Sequence, residues 1–151
     1  MNRLALTVAT AAVVVAATPA LGAHALDQPG TIKVTSKLVK HIHVAGPDKA
    51  THAGELDFYR EQLFNKGITP VAIGHSDFTC VNTGTGSQSC TGTYFLPKGK
   101  IMVGGVIASR LFYELAVMGG TGLYDNARGS VTVTFLGGVP AREFLLFRLG
   151  I

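Results

Sequence analysis

From Thr31 onward the apolar positions come in short runs rich in Val, Ile, Thr, Phe and Tyr. Gly, Asn, Pro and Asp break these runs at intervals of about 8 to 15 residues, the rhythm of strands and tight turns. The pattern predicts strands over Ile32–Val44, Leu56–Phe64, Ile68–Val81, Ser89–Leu96, Lys100–Ala108, Leu111–Met118, Gly129–Leu136 and Arg142–Leu149. No long stretch has helical period. Asn65-Lys66-Gly67, the loop holding Gly84 and Gly86, Pro97-Lys98-Gly99 and Gly137-Gly138 supply the residues that tolerate positive φ in such turns. Eight strands with hairpin-length links fit an all-β, up-and-down antiparallel barrel, whose closure removes exposed sheet edges; a two-sheet sandwich is the alternative. Ile101–Ala108 and much of Leu111–Met118 are apolar on both faces. One face can line a lumen, and a homo-oligomer is the economical way to cover the other.

The first residues change the compartment. Met1-Asn2-Arg3 is followed by an uncharged apolar run from Leu4 to Ala17 and then by Pro19, the pattern of a signal peptide. Ala23-His24-Ala25 satisfies the small-x-small rule for cleavage before Leu26, with Ala20-Leu21-Gly22 as a competing site. The division expected is a leader over residues 1–25 and one β domain over 26–151, secreted. An apolar run of about fourteen residues is short of the roughly 20 that span a bilayer, so no stable membrane insertion is expected once the leader is gone. In an oxidising compartment the only two cysteines, Cys80 and Cys90, read as a disulfide across the turn-rich segment between them, with free buried thiols as the alternative.

Charge excludes more than it proposes. Charged residues are 15% of the 151-residue chain against 47% hydrophobic, so the chain folds and does not stay disordered. The formal charge is +4, but Lys and Arg are scattered with no basic stripe, and nucleic acid is not an expected partner.

The segment Ala116-Val117-Met118-Gly119-Gly120-Thr121-Gly122-Leu123-Tyr124-Asp125-Asn126-Ala127-Arg128-Gly129, running into Val131-Thr132-Val133, resembles the signature of the allene oxide cyclase and dirigent barrels. Leu63-Phe64 before a turn, Gly99-Lys100-Ile101-Met102-Val103-Gly104-Gly105 and the closing Phe147-Arg148-Leu149-Gly150-Ile151 agree in order. The resemblance spans essentially the whole mature chain. It implies an eight-stranded barrel around a central apolar cavity, often a trimer, acting either as an isomerising cyclase or as a dirigent-type protein that steers another enzyme's intermediate. A dinucleotide-binding loop is the rival reading of the same glycines. It fails because such a loop must run into a helix N-terminus, and Ala127-Arg128-Gly129 runs into the alternating segment Ser130–Phe135. No cofactor is expected.

Candidate site residues follow from parity along each strand. His41 and His43 share a face with Val39, and the resemblance sets them where plant cyclases carry an acidic residue and an amide. The alternative is that both are solvated. A His-x-His pair can also hold a metal, but His52, His75 and Glu61 lack diagnostic spacing as a third ligand, so no metal is expected. Tyr59 and Glu61 share a face with Asp57 and Leu63; the resemblance makes Tyr59 an aromatic lining residue and gives Glu61 the place of an amide beside a catalytic water. Inside an apolar lumen Glu61 would have a raised pKa and serve as general acid or base; on the surface it would be an ordinary paired carboxylate. Glu114 interrupts an apolar strand beside Phe112, and a cavity-lining carboxylate is its favoured reading over a salt-bridged one. Arg128 follows the glycine turn and is expected first to satisfy that turn's carbonyls, with a ligand role as the second possibility. The catalytic candidates are therefore Glu61, Glu114 and His43, and the ligand-binding candidates are His41, Tyr59, Phe112 and Arg128.

Two functions follow. In the first, the barrel binds a small apolar or phenolic intermediate and steers its cyclisation or coupling by shape, without redox chemistry of its own, with an oxidase as a possible partner. In the second, it is a lipocalin-like carrier of a small hydrophobic ligand.

Overall fold

The computed structural model describes residues 30–65 and 70–150. The proposed leader, Lys66 and Gly67 of the first turn, and Ile151 lie outside the described residues. Eight strands follow one another: β1 (Gly30–Val44), β2 (Leu56–Asn65), β3 (Ala72–Asn82), β4 (Gln88–Leu96), β5 (Gly99–Ile107), β6 (Phe112–Gly122), β7 (Arg128–Gly137) and β8 (Arg142–Gly150). Each pairs antiparallel with the next, and β1 pairs with β8 to close the barrel. The sandwich is thereby excluded. Strand limits match the sequence pattern closely except in β3, which begins later than expected, and β6, which runs on through the glycines to Gly122.

The inward positions of the strands make the core. Val34, Leu63, Tyr94, Ile101, Val103, Leu115, Val131, Val133, Leu145 and Phe147 are all essentially inaccessible. The middle of the barrel is packed, with the Tyr94 ring edge-on to Phe147 at 4.9 Å between centroids and to Phe78 at 5.2 Å. Gly92 makes room for this: a Cβ there would lie 2.3 Å from the Phe78 ring. The apolar interior that the resemblance implies is present, but it is filled at its centre and opens at one end.

That end carries the β1–β2, β3–β4, β5–β6 and β7–β8 loops. At the other, Leu123 N–H to Lys98 O at 2.8 Å ties the β6–β7 turn to the β4–β5 turn, and Ala127 N–H to Tyr124 O at 3.0 Å closes the β6–β7 turn on itself. Gly120 permits this closure, since a Cβ would stand 2.2 Å from the Tyr124 carbonyl. The Gly119–Gly122 run of the signature is therefore a packing device of the closed end. Cys80 and Cys90 face each other across β3 and β4 and form the expected disulfide.

Register shifts occur in β1, β3, β6 and β7, and those in β1 and β6 bear on the candidate residues. In β1 the register shifts between Leu38 and Lys40, leaving Val39 as the extra residue, 61% exposed. Every β1 side chain beyond it changes face. In β6 the same happens at Met118, between the Val103–Val117 and Met102–Gly119 pairs.

Candidate functional site

The open end is a funnel lined by Tyr59, Glu61, Phe78, Cys80, Ile107, Arg110, Tyr113 and Glu143. Its walls enclose about 380 Å³ with the mouth included. It is narrower and more polar than an apolar lumen.

At its base two carboxylates converge from strands that flank β1. Glu143 of β8 stands opposite Ser36, and Glu61 of β2 opposite Leu38, the next inward residue along β1. Tyr113 Oη donates to Glu143 Oε2 at 3.3 Å, and Ser76 Oγ donates to Glu61 Oε2 at 3.1 Å. Ser36 Oγ lies close enough to Glu61 to favour its charged form. It is nonetheless buried, 1% exposed, with no hydrogen-bond partner of proper geometry. Burial raises the pKa of Glu61 against that help and the nearby Arg110 charge. Burial, then repulsion from Glu61, pushes Glu143 up to about 7, despite Tyr113 and Arg110. The pair thus retains a proton near neutrality. Burial and the neighbouring Glu143 charge also hold the Tyr113 hydroxyl firmly neutral.

The mouth is a hydrogen-bonded chain. Asp57 Oδ1 accepts from His41 Nε2 at 2.7 Å and His43 Nδ1 at 3.0 Å, and Asp57 Oδ2 from Gln88 Nε2 at 2.8 Å. Burial alone would raise the Asp57 pKa, but these three donors outweigh it and hold it below the ordinary carboxylate value. Arg110 Nη2, from the β5–β6 loop, donates to Gln88 Oε1 at 2.6 Å and to Tyr59 Oη. Its guanidinium carbon lies 4.5 Å from the Tyr59 ring centroid, and the His41 ring stacks on the same tyrosine at 4.5 Å. Outside Asp57, Glu55 joins His43 (Nε2–Oε2 3.9 Å) to His52 (Nδ1–Oε1 2.8 Å).

Of the sequence candidates, Tyr59, Glu61, His41 and His43 come together here. The two histidines do so because of the bulge at Val39; they do not share that residue's outward face, as unbroken alternation implies. Glu114 and Phe112 do not belong to the site. Both are exposed on the outer face of β6, Glu114 opposite Thr132 and Phe112 opposite Thr134, so the cavity-lining reading of Glu114 is corrected. The apolar neighbours that drew attention to it are themselves split between core (Leu115, Val117) and outer surface (Phe112, Met118). Arg128 begins β7 at the opposite end, exposed, far from any pocket role. Backbone hydrogen bonds hold the turn before it, and among the described residues Arg128 donates to none of the turn's carbonyls. Among the described residues no three His, Cys, Asp or Glu side chains converge as a metal site.

Glu143, Arg110, Gln88 and Tyr113 were missed. Tyr113 had a usable signal, since it alternates with Glu114 and so had to face the other way. Glu143 had none: it looks like the polar start of an ordinary strand until closure of β8 on β1 brings it beside Glu61.

No family model matches the chain, and no curated protein matches it. Solved structures do. A pyocyanin demethylase superposes with a TM-score of 0.64 at 23% identity, over 78% of this chain and 100% of that one. A pterocarpan synthase dirigent protein gives 0.65 at 16%, over 82% and 86%. An exo-specific intermolecular Diels-Alderase gives 0.63 at 14%, over 81% and 98%. The fold is that of the dirigent and cyclase barrels. At these identities the likeness is one of fold. In this dirigent- and cyclase-type barrel the β6–β7 signature builds the closed end, and the chemistry-bearing side chains gather at the other.

Proposed function

We propose that the protein binds a small apolar or phenolic intermediate at the open end of its barrel and steers its cyclisation or coupling, with no redox chemistry of its own. The observation that carries this reading is the funnel, in which aromatic walls from Tyr59, Phe78 and Tyr113 lead down to the inward carboxylates Glu61 and Glu143. Steering needs few polar groups, because holding reacting atoms close removes much of the entropic barrier. A protonated carboxyl at the base adds a general acid whose pKa suits neutral pH. The substrate's ring lies in the mouth, and only its reacting end reaches the carboxylates. The carrier reading fits less well. A lipocalin-like store is lined mostly by apolar groups, whereas this funnel ends on two carboxylates.

The same reading makes the chain a secreted protein, released from its leader at residues 1–25. An oxidase would generate the intermediate. Copies would associate through the outer face of β5 and β6, where Met102, Val106, Phe112 and Met118 are exposed.

The test is to soak the purified protein with extract of its own culture, identify the retained small molecule by mass spectrometry, and follow its products with Glu61→Gln and Glu143→Gln. Lost product selectivity with binding kept supports steering. Unchanged products with weakened binding support carriage instead.

A further inference from the structure

Steering by shape leaves the charge of the steered intermediate open, but the funnel's walls do not. Three aromatic rings, Tyr59, Phe78 and Tyr113, surround it, and aromatic faces carry partial negative charge. The ionisable groups facing its base are Glu61 from β2, Glu143 from β8, Tyr113 from β6, Tyr94 from β4 and Arg110 from the β5–β6 loop, and around Tyr59 above them stand Asp57 from β2 and His41 and His43 from β1. At the base, with both carboxylates ionised and both tyrosines neutral, the charges sum to minus one with Arg110 counted. Arg110 acts on both carboxylates only at a distance: its hydrogen bonds go to Gln88 and Tyr59 at the exposed mouth. A guanidinium already lies over the face of Tyr59, so that ring face is shown to accept a flat cation. Beneath the carboxylates, the buried Ser36 Oγ faces inward opposite Glu143 without a hydrogen bond of proper geometry.

We propose that the funnel takes a flat organic cation, seated on Tyr59 in place of the Arg110 guanidinium, with its charge directed at Glu61 and Glu143 and its acidic N–H or C–H edge toward Ser36. The intermediate steered is then one that carries or develops delocalised positive charge. This rests on the steering reading and narrows it. It has a thermodynamic consequence: the carboxylate pair holds a proton near neutrality, so a cation must displace that proton, and its affinity rises with pH while one proton leaves.

N-methylpyridinium, its neutral isostere toluene and the anion benzoate make the test, titrated into the full protein by NMR and by calorimetry in two buffers of different ionisation enthalpy. The expected order puts N-methylpyridinium at least about tenfold ahead of toluene, with benzoate weakest. N-methylpyridinium affinity should increase from pH 6 to pH 8, with proton release to buffer. Glu143→Gln should flatten that rise. Arg110→Ala, a change at an exposed loop residue, should tighten N-methylpyridinium and loosen benzoate, and it remains informative if the Glu143 variant does not fold. Toluene equal to the cation, benzoate ahead of it, or a pH-independent affinity overturns the proposal. If that happens while the culture ligand is still retained and its products still respond to Glu143→Gln, the charge assignment falls and steering stands. If no probe and no culture ligand binds, both fall.

Discussion

The two ends of this barrel are made from the same eight strands and have opposite chemistry. At the closed end the inward residues are Val34, Leu63, Leu96, Val117, Tyr124, Ala127 and Leu149, all buried. At the open end the corresponding positions hold Asp57, Tyr59, Glu61, Tyr113 and Glu143, with Gln88 and Arg110 across the mouth. The closed end stabilises the fold by removing apolar area from water. The open end works against it, because two carboxylates are kept where charge is poorly solvated. A barrel this size can hold such a pair only because its remaining interior is packed, and that division of labour marks the open end as the functional one.

The largest effect expected is at the closed end. Leu63→Ala removes a fully buried side chain and should cost about 2–5 kcal/mol in chemical denaturation. A cost under about 1 kcal/mol would mean that this end is not the packed one. Next comes the disulfide, which closes a loop of ten residues' separation. Its reduction should lower stability by about 2.5–3 kcal/mol in the chain-entropy model, read as the shift in denaturation midpoint with and without reductant.

The third effect has the opposite sign. Glu143 has its folded pKa raised from 4.5 to about 7. The folded state therefore binds the extra proton more tightly, and this contribution is fully present below pH 4.5 and lost as pH climbs through about 7. Glu143→Gln keeps an acceptor for Tyr113 without the charge. It should stabilise by about 1–3 kcal/mol at pH 8, after discounting for partial solvation, and change little at pH 4. Denaturation curves at the two pH values check it; equal effects at both would place Glu143 in solvent. The smallest effect expected is for Glu114→Gln on the outer face, within about 0.5 kcal/mol and with ligand retention unchanged. A loss of retention would return Glu114 to the site.

These contrasts also show what the sequence could carry. Period-two alternation and turn glycines give the strands, and the Cys80–Cys90 pairing follows from a short turn between strands in an oxidising context. Local rules fail where one residue or a distant strand decides. The extra residue at Val39 turns His41 and His43 inward, and nothing in Lys37-Leu38-Val39-Lys40 announces it. Glu114 looked buried because its neighbours are apolar, yet half of them lie on the outer surface. Glu143 becomes part of a carboxylate pair only through the β8–β1 closure, a long-range contact with no local signature.

The raised pKa of the neighbouring Glu61 and Glu143 carboxyls is what separates this mouth from an ordinary polar rim. Carboxyl carbon NMR on glutamate-labelled protein, titrated from pH 3 to pH 9, reads it directly. Two glutamate signals should respond together, the last proton should leave near pH 7, and Glu61→Gln should move the Glu143 transition downward. If every glutamate titrates as a single step near the ordinary value of about 4.3, the pair is solvated and the open end is not the site described.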